Sequence, residues 1–351
     1  MASNALNELL RSQTDLTKIE GELHREPFDV VDRVAYGRRA IVGASHDELP
    51  EIEQRMRVRL EEFVPASRTA VSKIRRDKES AKLSRRETEA LEAIILLLAR
   101  PALLIQDGAF FKASEPWAED LEARRADIES QFSAIGRIEV TGHPALDWVG
   151  TGWMCAADVL MTNRHVAKEF ADQSGTEWTF APGMQPSIDF GEELGGGLPR
   201  DFKITEVIGV HGKFDLALLR VSRRGSGGLA APLALAGKPI VRKGSNVLVV
   251  GYPAADSRRN DPEEMQRIFS GIYNVKRLQP GKIRSVSPTK SQLIHDCSTL
   301  GGNSGSCVLD LESQKVVGLH FGGRYLSGNK AVALWRLRDD RLLRDAGITF
   351  D

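Results

Sequence analysis

The stretch VLMTNRHV (159–166) decides the fold class of this chain. A short apolar run ends in a polar turn, which is the pattern of a buried strand followed by a loop. Such runs recur after residue 130, separated by Gly, Pro, Asn and Asp: IGRIEV (135–140), WVGTGWMC (148–155), FKITEVIGV (202–210), DLALLRV (215–221), NVLVVGYP (246–253), GKIRSV (281–286), SQLIHD (291–296), SGSCVLD (304–310), KVVGLHFGG (315–323) and AVALW (331–335). With few helical patterns before RLRDDRLLRDAG (336–347), they predict an all-β sandwich or a pair of barrels.

The first part of the chain follows a different pattern. Apolar residues recur at helical spacing in LNELL (6–10), EIEQRMRVRLEEFV (51–64) and ETEALEAIILLLA (87–99), and glycine is scarce. Ser84 and Glu87 have the spacing of a capping box that opens the last of these helices. PALLIQDGAFF (101–111) breaks the helical pattern, and we expect a strand and a turn there. We therefore predict a mostly α-helical region at 1–125 and an all-β domain at 126–351.

Composition excludes several classes of function. Lys and Arg number 48, as do Asp and Glu, so the zero formal charge gives no overall attraction to nucleic acid or to an anionic membrane. The mixed-charge run SKIRRDKESAKLSRRE (72–87) reads as a solvated helix face, with a nucleic-acid patch as the alternative. No apolar run reaches the roughly 18 residues of a membrane span, and the first residues lack the apolar core of a signal peptide. We expect a cytoplasmic protein that binds neither nucleic acid nor membrane.

The three cysteines indicate neither a disulfide scaffold nor a metal site. Cys155, Cys297 and Cys307 are too few and too irregularly spaced for a disulfide framework, and their spacing matches no zinc motif. We predict reduced, partly buried thiols, no metal and no cofactor.

Three polar residues stand at the edges of the predicted strands. They are His165 in TNRHV, Asp215 in KFDLALLRV and Ser304 in GGNSGS. Each alone has an ordinary structural explanation. On a β-rich chain, however, the order His, Asp, Ser along the sequence is the order of the chymotrypsin triad. A serine hydroxyl needs an imidazole to take its proton, and the imidazole needs a carboxylate to hold its tautomer. Glycines before the serine permit backbone N–H groups to converge on an oxyanion, and Gly302 and Ser304 are the expected donors.

With these motifs in place, the β half resembles the trypsin/chymotrypsin-fold serine peptidases. It is most similar to their bacterial glutamyl endopeptidase (V8-like) branch. The matching stretches occur in the family's order: TNRHV (162–166), DLALLRV (215–221), VVGYP (249–253), GKI (281–283), STLGGNSGS (298–306), VVGLHFGG (316–323) and NKAV (329–332). The resemblance implies two six-stranded barrels with a cleft between them and peptide-bond hydrolysis through an acyl-enzyme. It does not extend to the helical region.

The sequence departs from the family at two positions near the nucleophile. Asn303 stands where trypsin-type enzymes have the aspartate that receives a new N-terminus, so we do not expect that mode of activation. Cys307 stands where a proline usually follows GNSGS; we read it as a small buried side chain, with a redox switch as the alternative.

The resemblance also suggests a specificity pocket. At the base of S1 the chain has Ser298, which cannot pair with Lys or Arg. Thr299 and His320 match the residues with which the V8-like branch holds a substrate carboxylate. A preference for Glu or Asp at P1 follows as a hypothesis, and simple packing of His320 in its strand remains the alternative.

Two further expectations concern function as a whole. The first is an active serine endopeptidase acting on proteins or peptides, with a catalytically silent pseudoprotease that serves as a binding module as the alternative. The second is a regulatory or recruitment role for residues 1–125, which could bind a partner protein.

The segment AADSRRNDPEEMQRIFSGIYNVKRL (254–278) is either a lid over the cleft or a solvated loop.

Overall fold

The computed structural model describes residues 13–23, 64–77, 81–84, 86–88, 90–91, 100–113, 116–175, 177–196, 199–255, 269, 271–324 and 328–351. Most of the segment predicted as a lid, and much of the predicted helix at 87–99, lie outside these residues. Within them, no helix is both long and apolar enough to span a membrane.

The first barrel closes from six antiparallel strands in the order β10-β5-β4-β3-β8-β9. Alternation of buried and exposed residues, clearest along β9, directs every second side chain into the barrel. A separate hairpin, β6–β7, lies beside it. The strands are β3 (Ile135–Thr141), β4 (Trp148–Ala156), β5 (Val159–Thr162), β6 (Ala171–Ser174), β7 (Glu177–Phe180), β8 (Gln185–Asp189), β9 (Asp201–Val210) and β10 (Ala217–Gly225).

The second barrel is also closed and six-stranded. Its order is β11-β14-β15-β16-β13-β12, and pairing of β11 with β12 completes the ring. The strands are β11 (Asn246–Gly251), β12 (Arg277–Val286), β13 (Gln292–His295), β14 (Cys307–Asp310), β15 (Val316–Arg324) and β16 (Gly328–Ala333). All eleven predicted runs contain a strand, and the two closed barrels confirm the chymotrypsin-like architecture.

The segment before the barrels joins the second one. β1 (Leu103–Gln106) and β2 (Ala109–Phe110) form the strand and turn expected at 101–111, and β1 pairs with β12. The turn is fixed because Gly108 N donates to Glu193 Oε2 at 2.7 Å. This part of the predicted helical region is therefore built into the sheet of the second barrel.

Helices are few in the described residues. In the N-terminal part, α1 (Gln13–Leu23) lies beside α2 (64–77), joined by Arg75 to Thr17 and Glu20. The capping box is present: Glu87 N donates to Ser84 Oγ at 3.2 Å and Ser84 N to Glu87 Oε2 at 2.7 Å. The remaining helices are short: α3 (Ala118–Glu122), α4 (Arg125–Gln131), α5 (Arg164–Ala167), α6 (Arg341–Asp345) and the 3-10 turns Phe132–Ala134 and Leu334–Leu337.

Candidate active site

His165 and Asp215 meet at one end of the first barrel. His165 lies in α5 directly after β5, and Asp215 directly precedes β10, which pairs with β5. The two loops therefore leave the sheet side by side. His165 Nδ1 is 2.7 Å from Asp215 Oδ2, and the His165 backbone N–H donates to Oδ1 at 3.0 Å. Asn163 Nδ2 adds a bond of 2.9 Å to the Asp215 carbonyl.

The electrostatics of this pair favour an ionised carboxylate. Burial raises the pKa of Asp215, but the hydrogen bonds and charge of His165 outweigh burial, and the net pKa lies below its ordinary value. An ionised Asp215 keeps the proton of a neutral His165 on Nδ1. Nε2 is then the basic nitrogen, as a general base requires.

Ser304 lies in the loop before β14, which we call the nucleophile loop (residues 301–305). This loop belongs to the second barrel but is held by Thr151 of the first. Thr151 N donates to the Ser304 carbonyl at 2.9 Å, and Thr151 Oγ1 donates to the Gly302 carbonyl at 2.8 Å. The loop therefore sits at the junction of the two barrels.

Gly150 brings the Ser304 backbone towards α5. A Cβ at Gly150 would lie 2.8 Å from Val166 Cγ2 and 3.0 Å from the Ser304 carbonyl oxygen. The residue after His165 and the backbone of Ser304 therefore both approach the same glycine. The structure thus pairs two members of the predicted triad directly and brings the loop of the third against the helix that carries the histidine.

Two backbone N–H groups of the nucleophile loop are left available. The Gly301 carbonyl accepts from Ala254 N at 3.0 Å, and in a trans peptide the Gly302 N–H points the opposite way. Within the described part of the chain, neither Gly302 N nor Ser304 N donates a hydrogen bond. Gly302 has φ +75°, and a Cβ there would collide with the Trp148 ring. The arrangement suits an oxyanion hole made of these two donors.

The three predicted S1 residues have different surroundings. Ser298 is buried, and its hydroxyl donates to the Arg100 carbonyl at 2.6 Å. Thr299 is half-buried. His320 borders the nucleophile loop, because its carbonyl accepts from Gly305 N at 3.0 Å and its N–H donates to the Ser306 carbonyl at 2.9 Å. The Ser298 hydroxyl is therefore engaged by the segment before β1.

His320 has a partner that the sequence did not reveal. His295 Nε2 is 3.1 Å from His320 Nδ1, and both imidazoles are buried. Burial lowers the pKa of His295 to about 3. Burial also lowers the pKa of His320 well below its ordinary value, and the nearby His295 and His165 add to the shift. A neutral His320 therefore lies within electrostatic range of His165.

Sequence reasoning also missed Thr151, because a lone Thr in a strand belongs to no motif. The GTG pattern around Thr151 was the only local signal that the backbone there makes close contacts.

The cysteines are all buried, and burial raises the pKa of the Cys307 thiol to about 12. A protonated, buried thiol is a poor redox switch. No group of three or more metal-ligating side chains occurs in the described ranges.

Several known proteins are similar to this chain. The family model described as a trypsin-like peptidase domain matches residues 150–319. A glutamyl endopeptidase of Staphylococcus epidermidis is 27% identical over 199 residues, which cover 56% of this chain and 61% of that protein. One from Staphylococcus aureus is 25% identical over 196 residues, covering 55% and 52%. The matched region thus spans between about half and three fifths of these relatives.

Solved structures with a similar arrangement include Deg5 and a serine endoprotease from Yersinia pestis. Deg5 has a TM-score of 0.47 and 17% identity, with 66% of this chain and 98% of that chain covered. The Yersinia protein has a TM-score of 0.43 and 17% identity, with 63% and 66% covered. The sequence comparisons and the two closed barrels lead to one conclusion. Residues 150–319 match the trypsin-like peptidase domain, the barrels have the architecture of that fold, and the similarity extends to the glutamyl endopeptidases.

Proposed function

We propose that this chain is a serine endopeptidase with Ser304 as nucleophile, His165 as general base and Asp215 as the residue that orients the imidazole. The observation that carries the proposal is the 2.7 Å bond between His165 Nδ1 and Asp215 Oδ2, beside a loop in which the Gly302 and Ser304 N–H groups remain available. The family of the domain supports the same chemistry.

The reaction follows from these roles. Ser304 Oγ attacks the carbonyl carbon of the scissile bond while its proton passes to His165 Nε2. Charge then develops on the carbonyl oxygen, and the N–H groups of Gly302 and Ser304 stabilise it. The imidazolium, stabilised by Asp215, gives its proton to the leaving amine. Water, activated by the same imidazole, hydrolyses the acyl-enzyme and frees Ser304.

The test of activity is labelling of the full-length protein with a fluorophosphonate probe. We expect labelling that disappears in Ser304→Ala and is strongly reduced in His165→Ala. Ser313→Ala is the matched control, since Ser313 lies in the turn after β14 and its hydroxyl bonds to Asp310 at 2.7 Å. Absence of labelling in the wild type would reject the assignment as an active peptidase and favour a pseudoprotease that uses its cleft for binding.

For substrate preference we propose Glu, and secondarily Asp, at P1. Support comes from the position of His320 beside the nucleophile loop and from the similarity to glutamyl endopeptidases. Thr299 and His320 would provide hydrogen-bond donors for a side-chain carboxylate. The test compares kcat/KM for peptides that differ only in Glu, Gln, Asp or Ala at P1. Equal values for Glu and Gln would remove the acidic preference and leave His320 as a packing residue.

We also propose that the N-terminal region, residues 1–125, regulates the peptidase or recruits a partner protein. Its β1–β2 hairpin contacts the second barrel, and Arg100 pairs with Asp296 at 2.7 Å, two residues before Ser298. The region is thereby tied to the strand that leads to the candidate S1 pocket. Deletion of residues 1–99, which spares Arg100 and the hairpin, tests the role. Unchanged turnover of protein substrates and unchanged partner capture would reject it.

A further inference from the structure

The residue before the nucleophile is buried and neutral. Asn303 has no exposed surface, and its Oδ1 accepts a hydrogen bond of 3.0 Å from Gln279 Nε2. Gln279 is equally inaccessible and lies in β12, opposite Val249 of β11. A buried amide is costly unless it is hydrogen-bonded. The Gln279–Asn303 bond therefore stabilises the position of both side chains.

Other polar atoms converge on the same point, around Gly251 at the end of β11. A Cβ at Gly251 would lie 2.8 Å from Asn303 Oδ1 and 3.1 Å from Thr151 Oγ1, and it would collide with Ser306 Oγ. We call Thr151, Gln279, Asn303 and Ser306 the loop anchor. All four side chains are uncharged, and they come from both barrels.

The loop anchor acts on the backbone that carries the oxyanion donors. Asn303 N donates to the Gly301 carbonyl at 2.9 Å, and the Asn303 carbonyl accepts from Ser306 N at 3.0 Å. The two available N–H groups, of Gly302 and Ser304, flank this residue directly. Rotation of the Asn303 backbone would move both donors, so a bond that fixes its side chain also fixes their direction.

We propose that Gln279 is a positioning residue for catalysis: its buried hydrogen bond to Asn303 holds the nucleophile loop with the Gly302 and Ser304 N–H groups directed at one point. Both partners belong to the same chain and are uncharged. The loop therefore needs no new chain terminus to be set in place. This proposal rests on the proposed function, since it concerns the same site.

The test compares Gln279→Met, which keeps the volume of the side chain but removes the amide, with Gln279→Glu. A glutamate can still bond to Asn303, either by accepting from Nδ2 or, when protonated, by donating to Oδ1. We expect Gln279→Met to lower kcat and the fluorophosphonate labelling rate at least about tenfold with little change in KM, because donors to the oxyanion act mainly on kcat. Gln279→Glu should recover several-fold relative to Met. Gln292→Met, at a half-buried position of β13, is the matched control.

Rates are normalised to the folded fraction at a temperature well below the unfolding midpoint. A wild-type labelling rate in Gln279→Met, or equal deficits in the Met and Glu variants, would overturn the proposal. If Gln279→Met does not fold, Gln279→Asn, whose amide is too short to reach Asn303, replaces it under the same criteria. Wild-type labelling that depends on Ser304 is measured in parallel, so failure of the positioning role is distinguished from failure of the peptidase assignment.

Discussion

His295 Nε2 lies 3.1 Å from His320 Nδ1, and the two buried rings meet nearly edge to face. His295 Nδ1 is buried without a partner among the described residues. A proton on His295 Nδ1 would be a buried, unpaired donor. The favoured tautomer of His295 therefore carries its proton on Nε2, and this N–H donates a hydrogen bond to His320 Nδ1. His320 then carries its own proton on Nε2. This arrangement suits a hydrogen bond to a substrate acceptor.

The histidine pair should make the free energy of unfolding depend on pH below about 6.5. Burial lowers the pKa of His295 to about 3, from the 6.5 of an ordinary histidine. As pH falls below about 6.5, the unfolded chain binds a proton that the native state does not accept. The free energy of unfolding should then fall by up to about 1.4 kcal/mol per pH unit for each such histidine.

Urea unfolding at pH 8, 6.5, 5.5 and 4.5 measures this slope. We expect His295→Gln to reduce the slope between pH 6.5 and 4.5. His143→Gln, in the loop between β3 and β4 where the ring accepts from Leu146 N, serves as the control for loss of another hydrogen-bonded histidine. An identical slope in the wild type and in His295→Gln would contradict a neutral buried pair.

Asp215→Asn should leave the fold intact and lower kcat by about 10⁴-fold, the loss caused by the same change in a Ser-His-Asp triad. An amide can donate to Nδ1 and so stabilise the wrong tautomer of His165. Steady-state kinetics on a fluorogenic peptide checks this. Asp158→Asn, which affects an ion pair with Arg220 on the first barrel, is the control. A loss below about tenfold would mean that Asp215 does not orient the general base.

Thr151→Ala should lower kcat about tenfold, because the Gly302 carbonyl loses the 2.8 Å bond from Thr151 Oγ1 while the backbone bond to Ser304 remains. Thr151→Ser keeps the hydroxyl and should retain most of the activity. The comparison is made on kcat and on the unfolding midpoint of each variant. Equal kcat values for the Ala and Ser variants would show that the hydroxyl has no role in placing the loop.

Gly305→Ala should destabilise the protein by at least about 2 kcal/mol and abolish labelling. Gly305 has φ +90°, which L side chains rarely adopt, and a Cβ there would collide with the Thr151 carbonyl oxygen. Gly228→Ala is the control, because a Cβ at Gly228 meets no atom within 4 Å. Chemical denaturation and probe labelling are the measurements. Wild-type behaviour of Gly305→Ala would mean that the loop is less tightly held than described.

Two deletions should differ in their effect. Removal of residues 1–99 leaves the pairing of β1 with β12 and the Arg100–Asp296 ion pair, and we expect it to preserve fluorophosphonate labelling. Removal of residues 1–125 also removes Leu103 and Ile105, which belong to the main apolar core, and exposes the apolar side chains that they cover, so we expect loss of soluble, labelled protein. Equal labelling of both truncated proteins would show that the hairpin is dispensable.

The barrels were predictable because strand formation is governed largely by local patterns. Each of the eleven runs alternates or concentrates apolar residues over a few positions between turn formers, and each contains a strand. β6 and β8 were missed because ADQS and QPSID are polar and lack that pattern, and β7 was missed although EWTF alternates over its four residues. The triad candidates could be selected by residue type and order. His165 and Asp215 are 50 residues apart in the sequence, and this spacing alone does not show that their side chains meet.

The sequence by itself determined the fold class, the order of the candidate catalytic residues and the glycines that allow the nucleophile loop to turn, since these depend on local periodicity and on residue chemistry. Only the tertiary structure decided which side chains support them. Thr151 reaches the Gly302 carbonyl, Gln279 reaches Asn303 and His295 reaches His320 across gaps of 151, 24 and 25 residues. Such contacts depend on strand register and on how the barrels pack, because burial and hydrogen bonding are properties of the assembled fold.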